Sequence, residues 1–541
     1  MHTVADRLLD ALAAHRVTHL FGNPGSTELP LIDALSRHGG VRYVQGLHEA
    51  AVVGMADGWA QATGRMAAVN LHVTPGVATG LAALMNARRA RVPMLVIVGT
   101  QHTALRHADP FLGGDAVAMA RPVVAHAEEV DSAAEVPDAL ARCVARARAA
   151  PAGPVVLAVP SDVQAQPSAP LGPASAPHHA PAALDADAVR RAAGLLAGAR
   201  SPCIVAGDGV AHHDAGPAVA GLAERLGAPL YGEPHGARAP VPWDHPLWGG
   251  HLPPLGADIR AALDGHDVVL ALGCPVFRVF GPSPGPLMGP GTRLVHVDVD
   301  ADGLGRVVEP AVAIHADPAA FLAAVDALVP EPRDAPARRR HTEAAIDARR
   351  AAAARDPQPA AAGITPHRLA VAVAGSHRPG DLLVDESLTS GRALRRLPFA
   401  RPGEFLGHRG SALGWGLPAA VGAAIASPGR YCLALQGDGG LVFGAPALWT
   451  AAAAGARVGL VVADNGGYRI LRDQLRAATG TPGPWPGLTT AGLDVAGLCA
   501  SFGADVATVE DHAHLAGCLE GLRERAVSGP AALVVRMADG P

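Results

Sequence analysis

The sequence predicts an α/β protein built from three doubly wound domains with mainly parallel sheets. Short apolar segments typical of buried strands alternate along the 541 residues with Ala-rich segments typical of helices. Two stretches rich in Pro and Ala, 163–186 and 329–363, interrupt this alternation and predict linkers. The three predicted domains therefore span 1–165, 184–330 and 360–541, and each is long enough to bury its own core.

The individual elements follow from local patterns. The opening residues, MHTVADRLLDALAAHRV, carry acids within helical apolar spacing, which is typical of an amphipathic helix and not of a signal peptide. The Arg/Ala-rich centre of the second linker is also compatible with a solvated helix. A GDG at 207–209 is interpreted as a tight turn after a strand.

Strand candidates are HLFGN (19–23), MAAVNLHV (66–73), MLVIVG (94–99), PVVLAVP (154–160), PCIVAGDGVA (202–211), HDVVLALGCPVF (266–277) and TRLVHVDVD (292–300).

Composition narrows the possible partners. The net charge is −5, the basic residues are all Arg, and no basic block follows the pattern of a phosphate-backbone binder, so we expect no nucleic acid. No apolar run approaches the roughly 20 residues that a membrane helix needs. The six cysteines are scattered in or beside apolar runs without a C-x-x-C pair, which predicts buried reduced thiols and a cytoplasmic location.

The most informative stretch is LQGDGGLVFGAPALWTAAAAGARVGLVVADNGGY, residues 435–468. A strand-like run ends at its start, and Asp438 follows between two glycines. A helix-like segment (447–455) and a second strand-like run (458–463) come next, and Asn465 follows, 27 positions after Asp438. A right-handed crossover makes the two strands parallel, so both side chains leave at carboxyl ends, where open α/β sheets bind ligands.

These residue types suit a metal bound to a diphosphate. A carboxylate and an amide oxygen are hard donors, and a backbone carbonyl with two diphosphate oxygens completes an octahedron that Mg²⁺ prefers. The neighbouring glycines Gly437, Gly439 and Gly440 let the backbone approach the phosphates, and amide groups at a helix start favour the anion. The stretch therefore predicts a Mg²⁺–diphosphate site.

With these residues the sequence resembles the thiamine-diphosphate enzyme family, in which a GDG…N pattern binds Mg²⁺ and the cofactor's diphosphate. The resemblance covers essentially the whole chain and implies the order pyrimidine-binding, central and diphosphate-binding domain. It is closest to the branch that contains benzoylformate decarboxylase. The stretches that carry it are FGNPGSTELP (21–30), EAAVVGMADGWAQAT (49–63), NLHVTPG (70–76), GHDVVLALGCPVFR (265–278), DESLTSG (385–391), ALGWGLPAAVGAAIA (412–426) and ALWTAAA (447–453).

The resemblance implies three catalytic residues. Glu49 would place its carboxyl against the aminopyrimidine and promote loss of the C2 proton; the alternative is an ordinary Glu at a helix start. Ser26 would bind the substrate carboxylate; alternatively it caps the following helix. His72 would donate or relay a proton beside C2; alternatively it is a core histidine at the end of a strand.

The resemblance also implies the contacts that hold the cofactor. Leu413 would be the apolar wedge that keeps the cofactor in a V shape, and the Ser411 carbonyl would accept a hydrogen bond from its 4′-amine. Thr389 and Ser390 would lie on the diphosphate. Asp438, Asn465 and the Gly467 carbonyl would bind the metal, and Tyr468 would follow on the cofactor; together with Glu49, Gly437, Gly439 and Gly440 these are the predicted cofactor residues.

For function, the resemblance implies thiamine-diphosphate- and Mg²⁺-dependent, non-oxidative decarboxylation of a 2-oxo acid, benzoylformate-like or another aryl or branched acid, to an aldehyde and CO₂. The sequence departs from that branch twice. Phe280 stands where the branch has a second active-site histidine, and Gln474 stands where it has an aromatic pocket residue. Loss of a proton donor favours the alternative, an acetohydroxyacid-synthase-like carboligase that forms a 2-hydroxy ketone from the decarboxylated intermediate.

Two further alternatives belong to other classes. A non-catalytic cofactor-binding homologue is disfavoured by Glu49, because an inert binder does not need an activating carboxylate. An unrelated nucleotide-binding protein is disfavoured because the chain has no Lys with which to build a G-x-x-x-x-G-K-[ST] loop. Acetohydroxyacid-synthase-like relatives often carry a flavin in the central domain, and the sequence shows no decisive motif for one. Since the outer domains around one cofactor come from different subunits in this family, we expect at least a homodimer, and a homotetramer.

Overall fold

The computed structural model describes residues 2–169, 183–359, 362–410, 412–481 and 483–538. Three six-stranded sheets with parallel strand pairs, connected by helices, confirm the predicted α/β class. The described residues divide into two compact units. One contains those within Met1–His179, Gly380–Leu388 and His408–Pro541; the other contains those within Ala180–Pro379 and Thr389–Gly407.

The first sheet has the strand order β2-β1-β3-β4-β6-β5. Its central strands are continuous buried runs, as expected of a parallel sheet covered on both faces. The amphipathic first helix begins after Thr3, which forms a capping box with Asp6. The strands are β1 (His19–Gly22), β2 (Arg42–Gln45), β3 (Ala67–His72), β4 (Met94–Thr100), β5 (His126–Glu129) and β6 (Pro154–Pro160); the helices are α1 (Val4–Ala14), α2 (Leu29–Leu35), α3 (Glu49–Thr63), α4 (Val73–Arg89), α5 (Ala116–Ala120), α6 (Val136–Arg148) and α7 (Ser161–Ala165).

The second sheet has the order β12-β11-β10-β7-β8-β9. The second predicted linker contains a 20-residue helix, as the alternative interpretation allowed, and its Arg338 donates to the carbonyl of Ala199 at 2.9 Å. The strands are β7 (Pro202–Ala206), β8 (Leu230–Gly232), β9 (Trp248–His251), β10 (Val268–Leu272), β11 (Arg293–Asp298) and β12 (Val312–His315); the helices are α8 (Ala186–Ala197), α9 (Asp208–His212), α10 (Gly216–Leu226), α11 (Gly256–Leu263), α12 (Pro318–Asp326), α13 (Ala335–Ala354) and α14 (Pro366–Ser376).

The sequence predicted a tight turn at the GDG of residues 207–209. The structure has a short helix there instead. Asp208 begins α9 and is buried, and its Oδ1 accepts backbone hydrogen bonds from Ala237 (2.8 Å) and Arg238 (3.0 Å). The Asp208 amide donates in turn to the buried carboxylate of Glu233 at 3.0 Å. The predicted tight turn is therefore replaced by the start of a helix, and the buried side chain of Asp208 organises this strand end.

The third sheet has the order β14-β13-β15-β16-β18-β17. The predicted strand–helix–strand unit is present, with one difference: Asp438 begins a helix of its own before the predicted helix. The strands are β13 (Leu382–Glu386), β14 (Phe405–Gly407), β15 (Cys432–Gly437), β16 (Val458–Asp464), β17 (Asp505–Val509) and β18 (Ala531–Arg536); the helices are α15 (Ser390–Leu394), α16 (Gly416–Ala426), α17 (Asp438–Gly444), α18 (Ala447–Ala454), α19 (Arg469–Thr479), α20 (Val495–Ser501) and α21 (His512–Arg525).

The cysteines and the helices can also be compared with the sequence-based expectations. The six cysteines are free, five of them buried and Cys518 partly so, which agrees with the predicted reduced thiols. Among the described residues, none of the helices combines the length and the apolar character that a bilayer crossing requires.

Helices α3 and α16 cross at very short range because glycines face backbone at the crossing. A Cβ at Gly422 would lie 1.8 Å from the carbonyl oxygen of Met55, and one at Gly58 would lie 2.0 Å from that of Ala419. Only glycine permits such an approach. The crossing fixes two helices whose first residues lie near the predicted site.

We predict that Gly422→Ala lowers the thermal unfolding midpoint strongly, because the added methyl would clash with backbone that has no side-chain freedom. Overpacking of this kind costs about 1–3 kcal/mol or more. Gly517→Ala in α21 is the matched control: no atom lies within 4 Å of its Cβ position, so this variant should gain about 0.5–1 kcal/mol. Equal midpoints for the two variants would contradict the close crossing.

Candidate functional site

Glu49 lies at the carboxyl edge of the first sheet. It is the first residue of α3, which follows β2, and β2 is the neighbour of β1. Asn23, the residue after β1, donates to its Oε1 at 3.0 Å, and Thr79 donates to its Oε2 at 2.8 Å. Two neutral donors therefore fix the half-buried carboxyl group at the start of a helix, as the sequence predicted.

His72 lies at the same edge, as the last residue of β3 on the other side of β1. Its Nδ1 lies 2.8 Å from Oε2 of Glu28 and 3.0 Å from the hydroxyl of Thr27. The imidazole is 21% exposed, so it is not the fully buried core histidine of the alternative interpretation. With Nδ1 engaged, Nε2 is the ring nitrogen left for exchange of a proton.

Glu28 is the residue that sequence reasoning missed. It is fully buried and also accepts hydrogen bonds from Thr27 (2.7 Å) and the Gly25 amide (2.8 Å). Burial raises the pKa of its carboxyl, and these hydrogen bonds and His72 offset the rise only in part. The available signal was an acid a few residues after a buried strand.

Ser26 lies in the loop that passes over His72. It is exposed and begins a short 3₁₀ helix, Ser26–Glu28, while α2 starts only after Glu28. Ser26 therefore does not cap α2, and that alternative was wrong. The preceding residue must be small: a Cβ at Gly25 would lie 2.3 Å from the imidazole of His72. The loop thus brings Ser26 next to a residue that touches the ring.

The backbone just after His72 is strained. Val73 has a φ of +42°, in the left-handed region, although it is β-branched and buried. Such a conformation costs about 1–3 kcal/mol and persists only where the surroundings enforce it. The strain marks the strand–helix junction that carries the imidazole.

Asp438 and Asn465 follow adjacent strands of the third sheet. The last paired residues of β15 and β16 are Gly437 and Ala463, so the two side chains leave the same edge, as predicted. Asp438 is 1% exposed, and its Oδ2 accepts a hydrogen bond from Thr490 at 2.8 Å. Asn465 is half-buried.

The surroundings of Asp438 fit a bound cation. Burial raises the pKa of its carboxyl, and the carboxylate of Asp464 raises it further, against hydrogen bonds from Thr490 and the backbone. A carboxylate and an amide oxygen at neighbouring strand ends are the hard oxygen donors that Mg²⁺ prefers. Space is present as well, since no atom lies within 4 Å of the Cβ positions of Gly437 and Gly466.

The turn after Asn465 has little freedom. Gly467 has a φ of +153°, and a Cβ there would lie 2.3 Å from the carbonyl oxygen of Leu488. Its own carbonyl accepts from Arg469 at 3.0 Å. Arg472 donates to Oδ1 of Asn465 at 3.2 Å. Tyr468, just before α19, packs near Gly439, where a Cβ would lie 2.9 Å from the phenol ring.

Glu386 is a second buried acid that the sequence did not single out. It ends β13, and it accepts hydrogen bonds from the amides of Gly414 (2.6 Å) and Gly416 (2.5 Å) and from Gln436 (3.0 Å). These bonds fix the loop that carries Leu413, whose side chain is 40% exposed. Burial raises the pKa of Glu386 to about 7.

The other predicted residues lie elsewhere. Ser411 lies outside the described residues. Thr389 and Ser390 belong to the second compact unit, where Thr389 precedes α15 and the buried Ser390 begins it. Phe280 is in the same unit and is 59% exposed, and Gln474 is exposed on α19.

The chain belongs to the thiamine pyrophosphate enzyme family. Its N-terminal TPP-binding domain matches residues 2–124, its central domain residues 189–325, and its C-terminal TPP-binding domain residues 389–535. The site described above thus lies in a thiamine-diphosphate-dependent enzyme.

Two benzoylformate decarboxylases and an acetolactate synthase subunit are among the proteins that the chain resembles. Benzoylformate decarboxylase of Pseudomonas aeruginosa is 34% identical over 530 residues, 96% of both chains. The solved 4-hydroxybenzoylformate decarboxylase of Rhodococcus jostii RHA1 has a TM-score of 0.89 and 30% identity over 100% of both chains. The acetolactate synthase isozyme 1 large subunit of Escherichia coli is 27% identical over 540 residues, 99% of this chain and 94% of that one.

We predict that Glu386 makes stability fall as pH rises. Its pKa is 4.5 in the unfolded chain and about 7 when folded, so the folded state retains the proton that the unfolded state releases. The contribution of Glu386 to the free energy of unfolding is therefore fully present below pH 4.5. It decreases by up to about 3 kcal/mol as the pH rises through 7. In Glu386→Gln the thermal midpoint should fall less between pH 5 and 7. The exposed Glu510→Gln control should keep the wild-type slope; equal slopes for all three proteins would contradict the assignment.

Proposed function

We propose that the chain is a thiamine-diphosphate- and Mg²⁺-dependent decarboxylase that converts a 2-oxo acid into an aldehyde and CO₂. The observation that carries the proposal is His72, an imidazole fixed by Glu28 at the same sheet edge as Glu49. Release of an aldehyde needs a proton donor beside the activating carboxyl, and His72 would supply that proton next to Glu49. The two benzoylformate decarboxylase relatives support the same reaction class.

The metal and the cofactor would be held by the third sheet. Asp438, Asn465 and the Gly467 carbonyl are the proposed Mg²⁺ ligands, and the open space beside Gly437 admits the diphosphate. When bound, thiamine diphosphate supplies the nucleophilic carbon and the electron sink for decarboxylation. The other proposed contacts are those of Gly439, Gly440, Thr389, Ser390, Tyr468, Leu413 and the Ser411 carbonyl.

Glu49 would exchange a proton with the aminopyrimidine. Asn23 and Thr79 each occupy one of its oxygens, which restricts rotation of the carboxyl group. A fixed orientation is what proton transfer to a bound ring requires.

His72 and Ser26 would act on the substrate. Because Glu28 engages Nδ1, His72 would deliver a proton from Nε2. The exposed hydroxyl of Ser26 would bind the substrate carboxylate from the loop over that ring.

The substrate would be an aryl or branched 2-oxo acid. The alternative function is carboligation, in which a second carbonyl compound captures the decarboxylated intermediate to give a 2-hydroxy ketone. It is favoured by Phe280, which cannot transfer a proton, and by the likeness to an acetolactate synthase subunit.

Product analysis tests the proposal. The protein is incubated with Mg²⁺, thiamine diphosphate and aromatic, branched or short 2-oxo acids, with and without an added aldehyde. We expect CO₂ and free aldehyde from the aryl or branched acids. CO₂ accompanied mainly by 2-hydroxy ketones would establish the carboligase instead, and absence of CO₂ from every acid would contradict both.

We also propose a homodimer, associating into a homotetramer, in the cytoplasm. The free, mostly buried cysteines support a reducing location. The proposed domains, 1–165, 184–330 and 360–541, are supported by the three family matches, which lie within these bounds. In the dimer, Glu49 of one subunit and Asp438 of the other would serve one cofactor.

Mixing two inactive variants tests the shared site. Glu49→Gln should retain cofactor and lose about 10²–10⁴-fold in kcat, because it removes proton exchange. Asp438→Ala should lose the metal. Co-expression should restore about a quarter of wild-type activity, since half of randomly mixed dimers then carry one intact site of two. Full activity of Glu49→Gln alone would contradict its role, and no restoration would contradict the shared site.

A further inference from the structure

One short segment contacts both of the strand ends that hold the proposed metal ligands. Leu488 accepts a hydrogen bond from the amide of Tyr468 at 3.2 Å, and the amide of Thr490 donates to the carbonyl of Gly466 at 2.9 Å. The segment therefore lies directly along the turn that follows Asn465. At Thr490 the segment is half-buried.

The side chain of Thr490 reaches the other strand end. Its hydroxyl donates to Oδ2 of Asp438 at 2.8 Å. An ionised carboxylate can only accept hydrogen bonds, so the hydroxyl must be the donor, and its orientation is fixed. One residue thus links the buried acid, through its side chain, to the turn of the neighbouring strand, through its backbone.

We propose that Thr490 is a positioning residue for the divalent cation: it holds Oδ2 of Asp438 and leaves Oδ1 to face the metal. The inference rests on the proposed function, because it assumes that Asp438 binds Mg²⁺. Without the hydroxyl, the carboxylate keeps only its backbone hydrogen bonds from Gly439 and Gly467, so its orientation is less firmly fixed. Loss of such an outer partner typically weakens metal binding by about 10–100-fold.

The adjacent residue provides a matched control. Thr489 is exposed, and its hydroxyl donates to the Gly466 carbonyl at 3.2 Å and accepts from Ala491 at 3.0 Å, with no contact to Asp438. Threonine-to-valine changes at the two positions remove the same hydroxyl at the same volume. They differ in whether the lost partner is the carboxylate or a backbone carbonyl.

Binding of Mn²⁺ to the full-length protein with thiamine diphosphate, followed by the electron paramagnetic resonance signal of free Mn²⁺, tests the proposal. We expect Thr490→Val to raise the dissociation constant about 10–100-fold, with Thr490→Ser near wild type and Thr489→Val within about threefold. Excess Mg²⁺ should restore turnover of Thr490→Val, because the defect lies in affinity. If Thr490→Val does not fold, Thr490→Ala takes its place with the same expectation.

The possible outcomes distinguish the role of Thr490 from the existence of the metal site. Tight Mn²⁺ binding by the wild type, with unchanged affinity in Thr490→Val, would overturn the role of Thr490 and leave the proposed function standing. Equal weakening in both threonine-to-valine variants would also overturn it, since the cause would then be the segment and not the hydroxyl. No Mn²⁺ binding by the wild type would overturn the metal site itself.

Discussion

The close crossing of α3 and α16 is the constraint on which the rest of the larger unit depends. Helix α3 starts with Glu49, and α16 starts just after the loop that carries Leu413. Because Gly58 and Gly422 have no side chains, the two backbones touch and cannot slide without breaking the contact. The indole of Trp415 donates to the buried Asp57 at 2.9 Å, which fixes the rotation of one helix against the other.

Buried carboxylates then set the positions of the reactive groups. Glu28 holds an imidazole, Glu386 holds the loop of Leu413, and Asp438 is itself held by Thr490. Each lies at or after the carboxyl end of a parallel strand, where backbone amides and short hydroxyl side chains are within reach. Taking a carboxylate out of water is costly, so these groups are tolerated only because specific donors surround them.

The helices and strands were largely predictable from the sequence, but the buried acids that hold the candidate site residues in place were not. Strand candidates were short apolar runs between helix-like segments, and Asp438 and Asn465 were visible because glycines and a fixed spacing surround them. Glu28 and Glu386 left no such signal, because each has a decisive partner that is distant in the chain: His72 lies 44 residues after Glu28, and the Gly414 amide lies 28 residues after Glu386. Ser26 was ambiguous for a related reason: a cap and a binding hydroxyl have the same local pattern. The GDG at 207–209 was misread because its acid is buried by residues further along.

The backbone at Val73 is strained, whereas the strand β3 that precedes it is not. Its left-handed backbone stores energy at the peptide junction that follows His72, while β3 itself is paired with β4 and buried as far as Leu71. The native state can release that energy by letting this junction relax without unfolding the domain. We therefore expect heating to release the imidazole of His72 from Glu28 while the sheet is still intact.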